Sequence, residues 1–214
     1  MGMPLAMVVS LGLGYLSGAL PWGLWLGRWV KGVDVRTLGS RNLGATNVYR
    51  SLGPSLGIAT LVLDIAKGAL PVATVPGLGI AGAFPGGREW CMVTVAVAAV
   101  AGHMWTCFAG FRGGKGVATT VGVLLTLAPA AFGVFAGVFV AVVGLTRFVS
   151  LGSVLGSVAF VVALGLRGDD GVRSPTFAVG LVLGLLVIIR HRGNLGRLAR
   201  GTEPRFSWRG GQGK

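Results

Sequence analysis

Six long apolar stretches dominate the sequence and restrict the folds that it can adopt. Five of them contain no Asp, Glu, Lys or Arg, and the sixth is interrupted only by Asp64 and Lys67. A transmembrane helix needs about 20 consecutive apolar residues, and helices satisfy their own backbone hydrogen bonds within the lipid. The sequence therefore predicts an all-α integral membrane protein. The stretches cover residues 1–27, 51–87, 90–111, 116–146, 148–166 and 174–189.

The composition agrees with this class. Of the 214 residues, 53% are hydrophobic and 12% are charged, whereas soluble domains carry about 25% charged residues. The 39 glycines are typical of closely packed membrane helices, because small side chains let two helix backbones approach.

The stretch at 116–146 decides how many spans to expect. A single helix of its 31 residues would measure roughly 46 Å, against a hydrocarbon core of about 30 Å, and Pro129 disfavours helical geometry at Ala128. One helix here gives six spans and, leaving out Lys67, places nine basic residues on each side of the membrane. Two helices give seven spans and place 15 basic residues on the cytoplasmic side and three outside. Because cytoplasmic loops carry the excess of Lys and Arg, we expect seven transmembrane helices, with the N-terminus outside and the C-terminus cytoplasmic.

The formal charge of +13 raises the question of a nucleic-acid partner, but no nucleic-acid-binding motif accompanies it. The basic residues lie in short loops and in a short tail at about 190–214, as expected for cytoplasmic loops and for sites that bind anionic headgroups. We therefore expect a single polytopic domain over 1–214 among membrane lipids, with no nucleic acid and no evident need for a protein partner. Four polar segments then share the cytoplasmic side, at 28–50, 111–116, 147–153 and 190–209.

The first of these segments contains a dense group of hydrogen-bonding side chains, GSRNLGATNVYR at 39–50. Glycine permits close backbone approach, hydroxyl and amide groups bind oxygen ligands, and arginine can fork onto a phosphate. A polar turn followed by a helix cap is the simpler explanation, but the number of donors exceeds what a cap needs. The candidate site residues here are Gly39, Ser40, Asn42, Thr46, Asn47 and Arg50.

A glycine-rich turn, FRGGKGVATT at 111–120, opens the next apolar run. Backbone N–H groups at a helix start, together with a lysine, predict a phosphate-binding loop. The turn is not a Walker A loop, because the first glycine of that motif is absent and a glycine follows the lysine. The alternative is a basic membrane anchor with flexible glycines. The candidate residues are Gly113, Gly114, Lys115 and Gly116.

The last apolar run ends in the basic segment RHRGNLGRLARGTEP at 190–204. His191 and Asn194 are three apart and would share one helix face if the helix continues, which makes both of them candidates. The alternative is an interfacial basic tail that follows the charge rule for membrane proteins. Ser150 and Ser153, in another cytoplasmic turn, are either further substrate-binding residues or helix caps.

Other chemistry-bearing groups are few. Asp64 and Lys67 lie three apart within a span, where ionisable residues are functional candidates by default, although this pair can neutralise itself. His103 is predicted to be a hydrogen-bonded packing residue. The two histidines and six acids form no metal-binding cluster, so we predict neither metal nor cofactor. With no G-x-S-x-G elbow and no H-x4-D pair, catalysis must rest on positive charge, N–H donors, hydroxyls and at most one histidine.

Together these segments resemble the bacterial membrane-embedded acyl-phosphate:glycerol-3-phosphate acyltransferases. The stretches GSRNLGATNVYR, FRGGKGVATT and RHRGNLGRLARGTEP are similar to the three signature regions of that family and occur in the same order. SGALP at 17–21, Asp64-x-x-Lys67-Gly68 and TRFVSLGS at 146–153 resemble further family features. The similarity covers nearly the whole chain, with a departure at GHMWT, where the family usually has Phe-Pro after His-x.

The resemblance implies seven membrane helices with the active site on the cytoplasmic side of the bacterial inner membrane. It implies transfer of an acyl chain from acyl phosphate to the 1-hydroxyl of glycerol 3-phosphate. The products would be 1-acyl-glycerol 3-phosphate (lysophosphatidic acid) and inorganic phosphate, in the first acylation of phospholipid biosynthesis.

Matching motif positions implies a core site of Ser40, Arg50, Lys115, Ser153, His191 and Asn194, with Thr46 and the three loop glycines beside it. We assign catalysis to Ser40, Arg50, Lys115, His191 and Asn194. We assign substrate binding to Gly39, Asn42, Thr46, Asn47, Gly113, Gly114, Gly116, Ser150 and Ser153.

Both substrates of such a reaction carry phosphate, so cations between them would offset their repulsion and align them. We expect Lys115 and its loop to bind acyl phosphate, and Arg50 and Asn194 to hold glycerol 3-phosphate. Ser40 would position a phosphate or hydroxyl, and either His191 or the departing phosphate would accept the proton. The competing class is a transporter or flippase of an anionic lipid or phosphate compound, which predicts anion-binding groups near the middle of the membrane.

Overall fold

The computed structural model describes residues 1–167 and 171–207. Over these residues the chain forms ten α-helices joined by loops and short 3-10 turns, without a β-strand. The prediction of an all-α protein is confirmed for this part of the chain. The helices are α1 Met3–Ala19, α2 Trp22–Lys31, α3 Ala45–Leu52, α4 Pro54–Thr74, α5 Gly87–Met104, α6 Val117–Leu127, α7 Pro129–Thr146, α8 Val149–Gly165, α9 Pro175–Arg190 and α10 Arg192–Ala199.

Length and composition make four segments of the described chain able to cross a membrane. They are Met3–Lys31, Pro54–Leu78, Gly87–Ala109 and Pro129–Thr146. The pair α9 and α10 makes a fifth if it counts as one span, although it is bent by 52°. Helices α6 and α8 are shorter apolar helices. The membrane class is thereby supported, while the count of seven spans and their orientation stay predictions.

The stretch at 116–146 is divided into two helices, as its proline predicted. Helix α6 ends at Leu127, and Ala128 leaves the helical region with φ −149° and ψ 73°. Pro129 then begins α7, where its missing N–H costs no intrahelical hydrogen bond.

The described residues fall into two compact units, 1–126 and 127–207. In the first unit α1 packs along α5 and α4, and glycines bring the backbones of α1 and α5 into contact. A Cβ added to Gly18 would lie 1.9 Å from the carbonyl oxygen of Ala99, and one added to Gly102 would lie 2.2 Å from that of Tyr15. These positions therefore admit only glycine without a shift of the helices.

A buried apolar cluster in the first unit orders the loop between α2 and α3. Five buried apolar residues pack into one cluster that joins α2, this loop, α3 and the turn after α5. The cluster thus anchors the loop between α2 and α3, and the turn after α5, to the helices. Its members are Leu24, Val35, Leu43, Val48 and Ala109.

In the second unit α8 packs between α7 and α9. Phe135 stacks on Phe132 and Phe139 with ring centroids 6.0 and 5.9 Å apart. A Cβ added to Gly156 of α8 would meet the Phe135 ring at 3.0 Å, so a glycine lets α8 approach this aromatic row.

Candidate active site

Asn47 organises the first donor-rich segment. Its buried side-chain oxygen accepts a hydrogen bond from the Ser40 backbone N–H at 2.9 Å. Its amide nitrogen donates to the loop carbonyls of Val35, Leu38 and Asn42 at 3.2, 3.1 and 2.9 Å. The polar atoms of Asn47 are therefore engaged in shaping the loop, and its predicted contact with substrate stays a prediction.

Gly39 and Asn42 support the same loop. Gly39 has a φ of +51°, and an added Cβ would lie 2.6 Å from Oδ1 of Asn47, so a side chain there would disturb the network. Oδ1 of Asn42 accepts from the Gly44 N–H at 2.8 Å, which forms a turn before α3. The structure gives these residues scaffolding contacts, which agrees with the polar turn of the simpler explanation. The helix cap of that explanation is wrong, because the N-cap residue of α3 is Gly44 and no side chain caps it.

The remaining predicted residues of this segment are more accessible. Ser40 is exposed, and Thr46 and Arg50 are half-buried. Thr46 and Arg50 are four residues apart on α3, which places them on the same helix face. Within eleven residues of chain, the loop therefore presents the Ser40 hydroxyl, and this face of α3 presents the Thr46 hydroxyl and the Arg50 guanidinium.

Asp34 stabilises the start of the loop between α2 and α3 through ion pairs with two arginines. Its Oδ2 lies 2.9 Å from Nη2 of Arg28 and 2.7 Å from Nη2 of Arg36. Hydrogen bonds from the Arg36 side chain are the main cause that holds the pKa of Asp34 well below its usual range. The carboxylate is therefore charged at neutral pH, and these two arginines serve the loop.

The glycine-rich loop at 110–116 lies against the C-terminal end of α5. The N–H groups of Gly113 and Gly114 donate to the carbonyls of Met104 and His103, both at 3.1 Å. A Cβ added to Gly113 would lie 1.9 Å from the His103 carbonyl oxygen, and one added to Gly114 would lie 2.1 Å from Nε2 of His103. Both glycines are required by this close approach, and their amides contribute to the fold of the loop.

Lys115 and Gly116 connect this loop to α6. Gly116 has a φ of +84°, and an added Cβ would lie 2.6 Å from Cε of Met104. Lys115 is half-buried and precedes an 11-residue helix. The first turn of a helix offers backbone N–H groups and a partial positive charge. Lys115 thus stands next to the N-terminus of α6, and its binding of phosphate stays a prediction.

In the second unit the carboxylate of Glu203 connects two of the predicted residues. Ser150 Oγ donates to Oε1 of Glu203 at 2.7 Å, and Asn194 Nδ2 donates to the same oxygen at 2.6 Å. Arg197 Nε donates to Oε2 at 2.8 Å. Burial raises the pKa of Glu203, but the hydrogen bonds from Asn194 and Ser150 and the charge of Arg197 outweigh it, so the pKa lies below its ordinary value.

The two predicted serines of α8 have different partners. Ser150 reaches Glu203, whereas Ser153 Oγ donates to the carbonyl of Val149 at 2.9 Å within its own helix. Neither serine caps α8, because its N-cap residue is Phe148 and no side chain caps it. The alternative that these serines are helix caps is therefore wrong.

His191 occupies the joint between α9 and α10. It is buried, and its Nδ1 lies 2.7 Å from the carbonyl oxygen of Val187. A carbonyl can only accept, so Nδ1 carries a proton and Nε2 is the nitrogen of the neutral ring that can take up another. The helix bends here by 52°, so His191 is the N-cap residue of α10 and not part of one straight helix with Asn194.

Comparison with known proteins identifies the family. The sequence profile described as Glycerol-3-phosphate acyltransferase matches residues 8–201. The chain belongs to the glycerol-3-phosphate acyltransferase family. The glycerol-3-phosphate acyltransferase of Desulforudis audaxviator (strain MP104C) is 43% identical over 205 residues, which cover 96% of this chain and 98% of the relative. That of Anaeromyxobacter dehalogenans (strain 2CP-C) is 47% identical over 198 residues, which cover 92% and 96%.

Solved structures of this acyltransferase family have the same fold. The crystal structure of PlsY (YgiH), an integral membrane glycerol 3-phosphate acyltransferase, in its glycerol 3-phosphate form has a TM-score of 0.82 at 35% identity, over 94% of this chain and 96% of that chain. Its lysphosphatidic acid form has a TM-score of 0.80 at the same identity and covers 94% and 95%. The predicted family, the acyltransferase class and the membrane location in bacteria are confirmed.

Glu203 was not among the residues predicted from the sequence of this acyltransferase, although it contacts two that were. Glu203 binds Ser150 and Asn194, both of which were predicted, and it is buried beside Arg197. A signal was present, because Glu203 is the single acid in the basic segment 190–204. The contact with α8, however, depends on how the tail folds back, which the sequence pattern does not reveal.

Proposed function

We propose that this acyltransferase uses acyl phosphate as the donor and the 1-hydroxyl of glycerol 3-phosphate as the acceptor. The observation that carries the proposal is the match to solved relatives described in a glycerol 3-phosphate form and a lysphosphatidic acid form. An acyltransferase that joins an acyl group to glycerol 3-phosphate converts the first of these compounds into the second. Inorganic phosphate would be the other product.

The residues of this chain suit a donor that is already activated. Acyl phosphate is a mixed anhydride, so the acceptor hydroxyl attacks the carbonyl carbon, the bond to the phosphate oxygen breaks, and phosphate leaves with the bonding electrons. The hydroxyl proton passes to the departing phosphate or to a base. The protein then needs to align two anions and stabilise developing charge, for which Lys and Arg suffice without an acyl-enzyme.

The glycine-rich loop is proposed to bind the donor phosphate. Lys115 stands at the start of α6, where helix N–H groups and its ammonium group favour an anion. Arg50 on α3 is assigned to the phosphate of glycerol 3-phosphate, since a guanidinium can bind two phosphate oxygens at once. Ser40, exposed on the loop before α3, is assigned to position a phosphate or hydroxyl group.

Residues of α10 and its N-cap are proposed to serve the acceptor. The ring of His191, with Nδ1 held by the Val187 carbonyl, presents Nε2 as the nitrogen for proton transfer. Asn194 is assigned to hold glycerol 3-phosphate, and its hydrogen bond to Glu203 fixes the side chain for this task. Ser150 and Ser153 stay assigned to substrate binding, Ser150 through the same carboxylate.

The proposed topology has seven spans, with the N-terminus outside and the active site on the cytoplasmic side of the inner membrane. Its support is the charge distribution of the sequence, in which, leaving out Lys67, 15 basic residues fall on one side and three on the other. The short helices α6 and α8 supply the two spans beyond the five segments that length and composition allow.

The donor assignment is tested with purified protein, radiolabelled glycerol 3-phosphate and either palmitoyl phosphate or palmitoyl coenzyme A. We expect labelled lysophosphatidic acid and an equal amount of inorganic phosphate from palmitoyl phosphate alone. Product from palmitoyl coenzyme A without palmitoyl phosphate would show that the donor assignment is wrong.

The loop assignment is tested with Lys115→Ala and a matched control, Arg112→Ala, which removes an exposed basic residue of the same loop. Loss of a charge-assisted contact that forms in the transition state predicts a fall in kcat/KM of about 100-fold or more for Lys115→Ala. Arg112→Ala should stay within about threefold of the wild type, as for a residue outside the site. Equal activity of the two variants would contradict the role of Lys115.

A further inference from the structure

A cluster of buried polar side chains stands beside the glycine-rich loop and has no part in the chemistry proposed above. Nζ of Lys67 lies 2.8 Å from Oδ1 of Asp64 and donates to the carbonyl of Leu20 at 2.7 Å. Nδ1 of His103 lies 3.0 Å from Oγ1 of Thr119 and 3.8 Å from the same Asp64 oxygen. All four side chains are buried, so the cluster belongs to the interior of the first unit.

Such a cluster is costly to place among membrane helices, because charged groups lose their hydration there. A buried ion pair also adds little stability over apolar residues of the same size. Stability alone therefore gives little reason for the cluster, and its contacts point to a role that depends on its polar geometry.

The contacts of His103 with the loop supply such a role. A Cβ on Gly114 would lie 2.1 Å from Nε2 of His103, so the ring lies directly against this glycine. The backbone carbonyl of His103 accepts the Gly114 N–H at 3.1 Å. His103 thus contacts, through both ring and backbone, the residue that precedes Lys115.

Thr119, which follows Lys115 in the chain, contacts the same His103 ring. Its hydroxyl, in the first turn of α6, meets Nδ1 of His103. Its backbone carbonyl would lie 2.3 Å from a Cβ on Gly68 of α4, so α4 and α6 touch next to the Asp64–Lys67 pair. The segment from Gly114 to Thr119, which contains Lys115, therefore contacts His103 at both of its ends. Asp64, Lys67, His103, Thr106 and Gly114 also line one small pocket.

We propose that His103, held by Thr119 and the Asp64–Lys67 pair, is a positioning residue for the glycine-rich loop. It fixes the conformation of residues 113–116 and thereby the place of the Lys115 ammonium group relative to the donor phosphate. The inference rests on the proposed function, in which Lys115 binds that phosphate. It predicts that a weakened cluster impairs donor binding and leaves acceptor binding unchanged.

The test compares Thr119→Val with Thr60→Val in steady-state assays with palmitoyl phosphate and glycerol 3-phosphate. Both changes replace a buried hydroxyl by a methyl group, but within the described chain the Thr60 hydroxyl bonds only the Leu56 carbonyl of its own helix. We expect Thr119→Val to raise the KM for palmitoyl phosphate at least about fivefold above that of Thr60→Val, with kcat and the KM for glycerol 3-phosphate within about twofold. His103→Asn, which keeps a polar atom near the position of Nδ1, should recover most of the donor affinity that His103→Leu loses.

A smaller rise in the donor KM, a fall in kcat at unchanged KM, or equal effects on both substrates would overturn the positioning role. Lys115→Ala, assayed in parallel, separates this result from the proposed function. If Lys115→Ala binds the donor poorly while Thr119→Val behaves like Thr60→Val, only the positioning role fails. If the wild-type enzyme or Lys115→Ala contradicts the use of acyl phosphate by the loop, the proposed function fails and this inference fails with it.

Discussion

At the residue scale, several side chains that the sequence marks as ligands are bonded within the protein. Asn47 has four hydrogen bonds inside its own segment, and Asn194 donates to a carboxylate. A cluster of donors in a sequence identifies a segment that matters, but it does not say which donors build the loop and which face the substrate. That division depends on how each segment folds back on itself, which brings Asn47 and Asn194 against partners five to twelve residues away.

Asn47→Ala is predicted to unfold the loop before α3. It removes the acceptor of the Ser40 N–H and a donor to three loop carbonyls, two of which keep a backbone partner, and this should lower the free energy of unfolding by about 2 kcal/mol. Thr46→Ala, at a half-buried neighbour, should change it by less than about 0.5 kcal/mol. Chemical unfolding in detergent micelles measures both. A normally stable Asn47→Ala with a raised KM would instead make Asn47 a substrate ligand.

Glu203 is predicted to stabilise the second unit in a pH-dependent way. Its folded-state pKa lies below the ordinary value of 4.5, so its contribution is complete above that value and is lost as the pH falls through the lower folded pKa. In Glu203→Gln no proton is taken up, so the stability gap to the wild type should be largest at neutral pH and should shrink on acidification. Unfolding curves between about pH 7 and pH 3 measure this gap. A gap that does not vary with pH would contradict the prediction.

At the scale of elements, the apolar runs predicted most of the helices, because hydrophobicity over 15 or more residues is a local property of the chain. Pro129 likewise revealed the break between α6 and α7, since its effect acts on the adjoining residue. The bend at His191 and the return of Glu203 to α8 were not predicted. The return of Glu203 depends on side-chain hydrogen bonds to Ser150 and Asn194, which leave no periodic pattern in the sequence, and no proline marks the bend at His191.

The contact between α1 and α5 gives a prediction about glycines. Gly18→Ala places a methyl group against the Ala99 carbonyl, where an added Cβ would lie at 1.9 Å. Such overpacking should cost about 1–3 kcal/mol of unfolding free energy, or more. Gly12→Ala, also on α1 but with nothing within 4 Å of the added Cβ, should be neutral or slightly stabilising. Thermal unfolding in micelles compares the two, and equal stability would contradict the close helix contact.

At the scale of the whole molecule, the charge pattern supports the proposed mechanism and the proposed orientation in the membrane. Two substrates that both bear phosphate repel each other, and the basic segments would offset that repulsion only if they face the same compartment. The sequence predicted family and reaction because the signature segments are continuous stretches of chain. The orientation in the membrane rests on the distribution of Lys and Arg.

Cysteine labelling tests this central claim most directly. In a variant without the two native cysteines, single cysteines replace Arg112, Arg200 or Arg88, all of which are exposed. Spheroplasts are treated with a membrane-impermeant maleimide before and after permeabilisation. We predict that cysteines at 112 and 200 react only after permeabilisation, whereas the cysteine at 88 reacts at once. Reaction of 112 and 200 from opposite sides of the membrane would contradict the account.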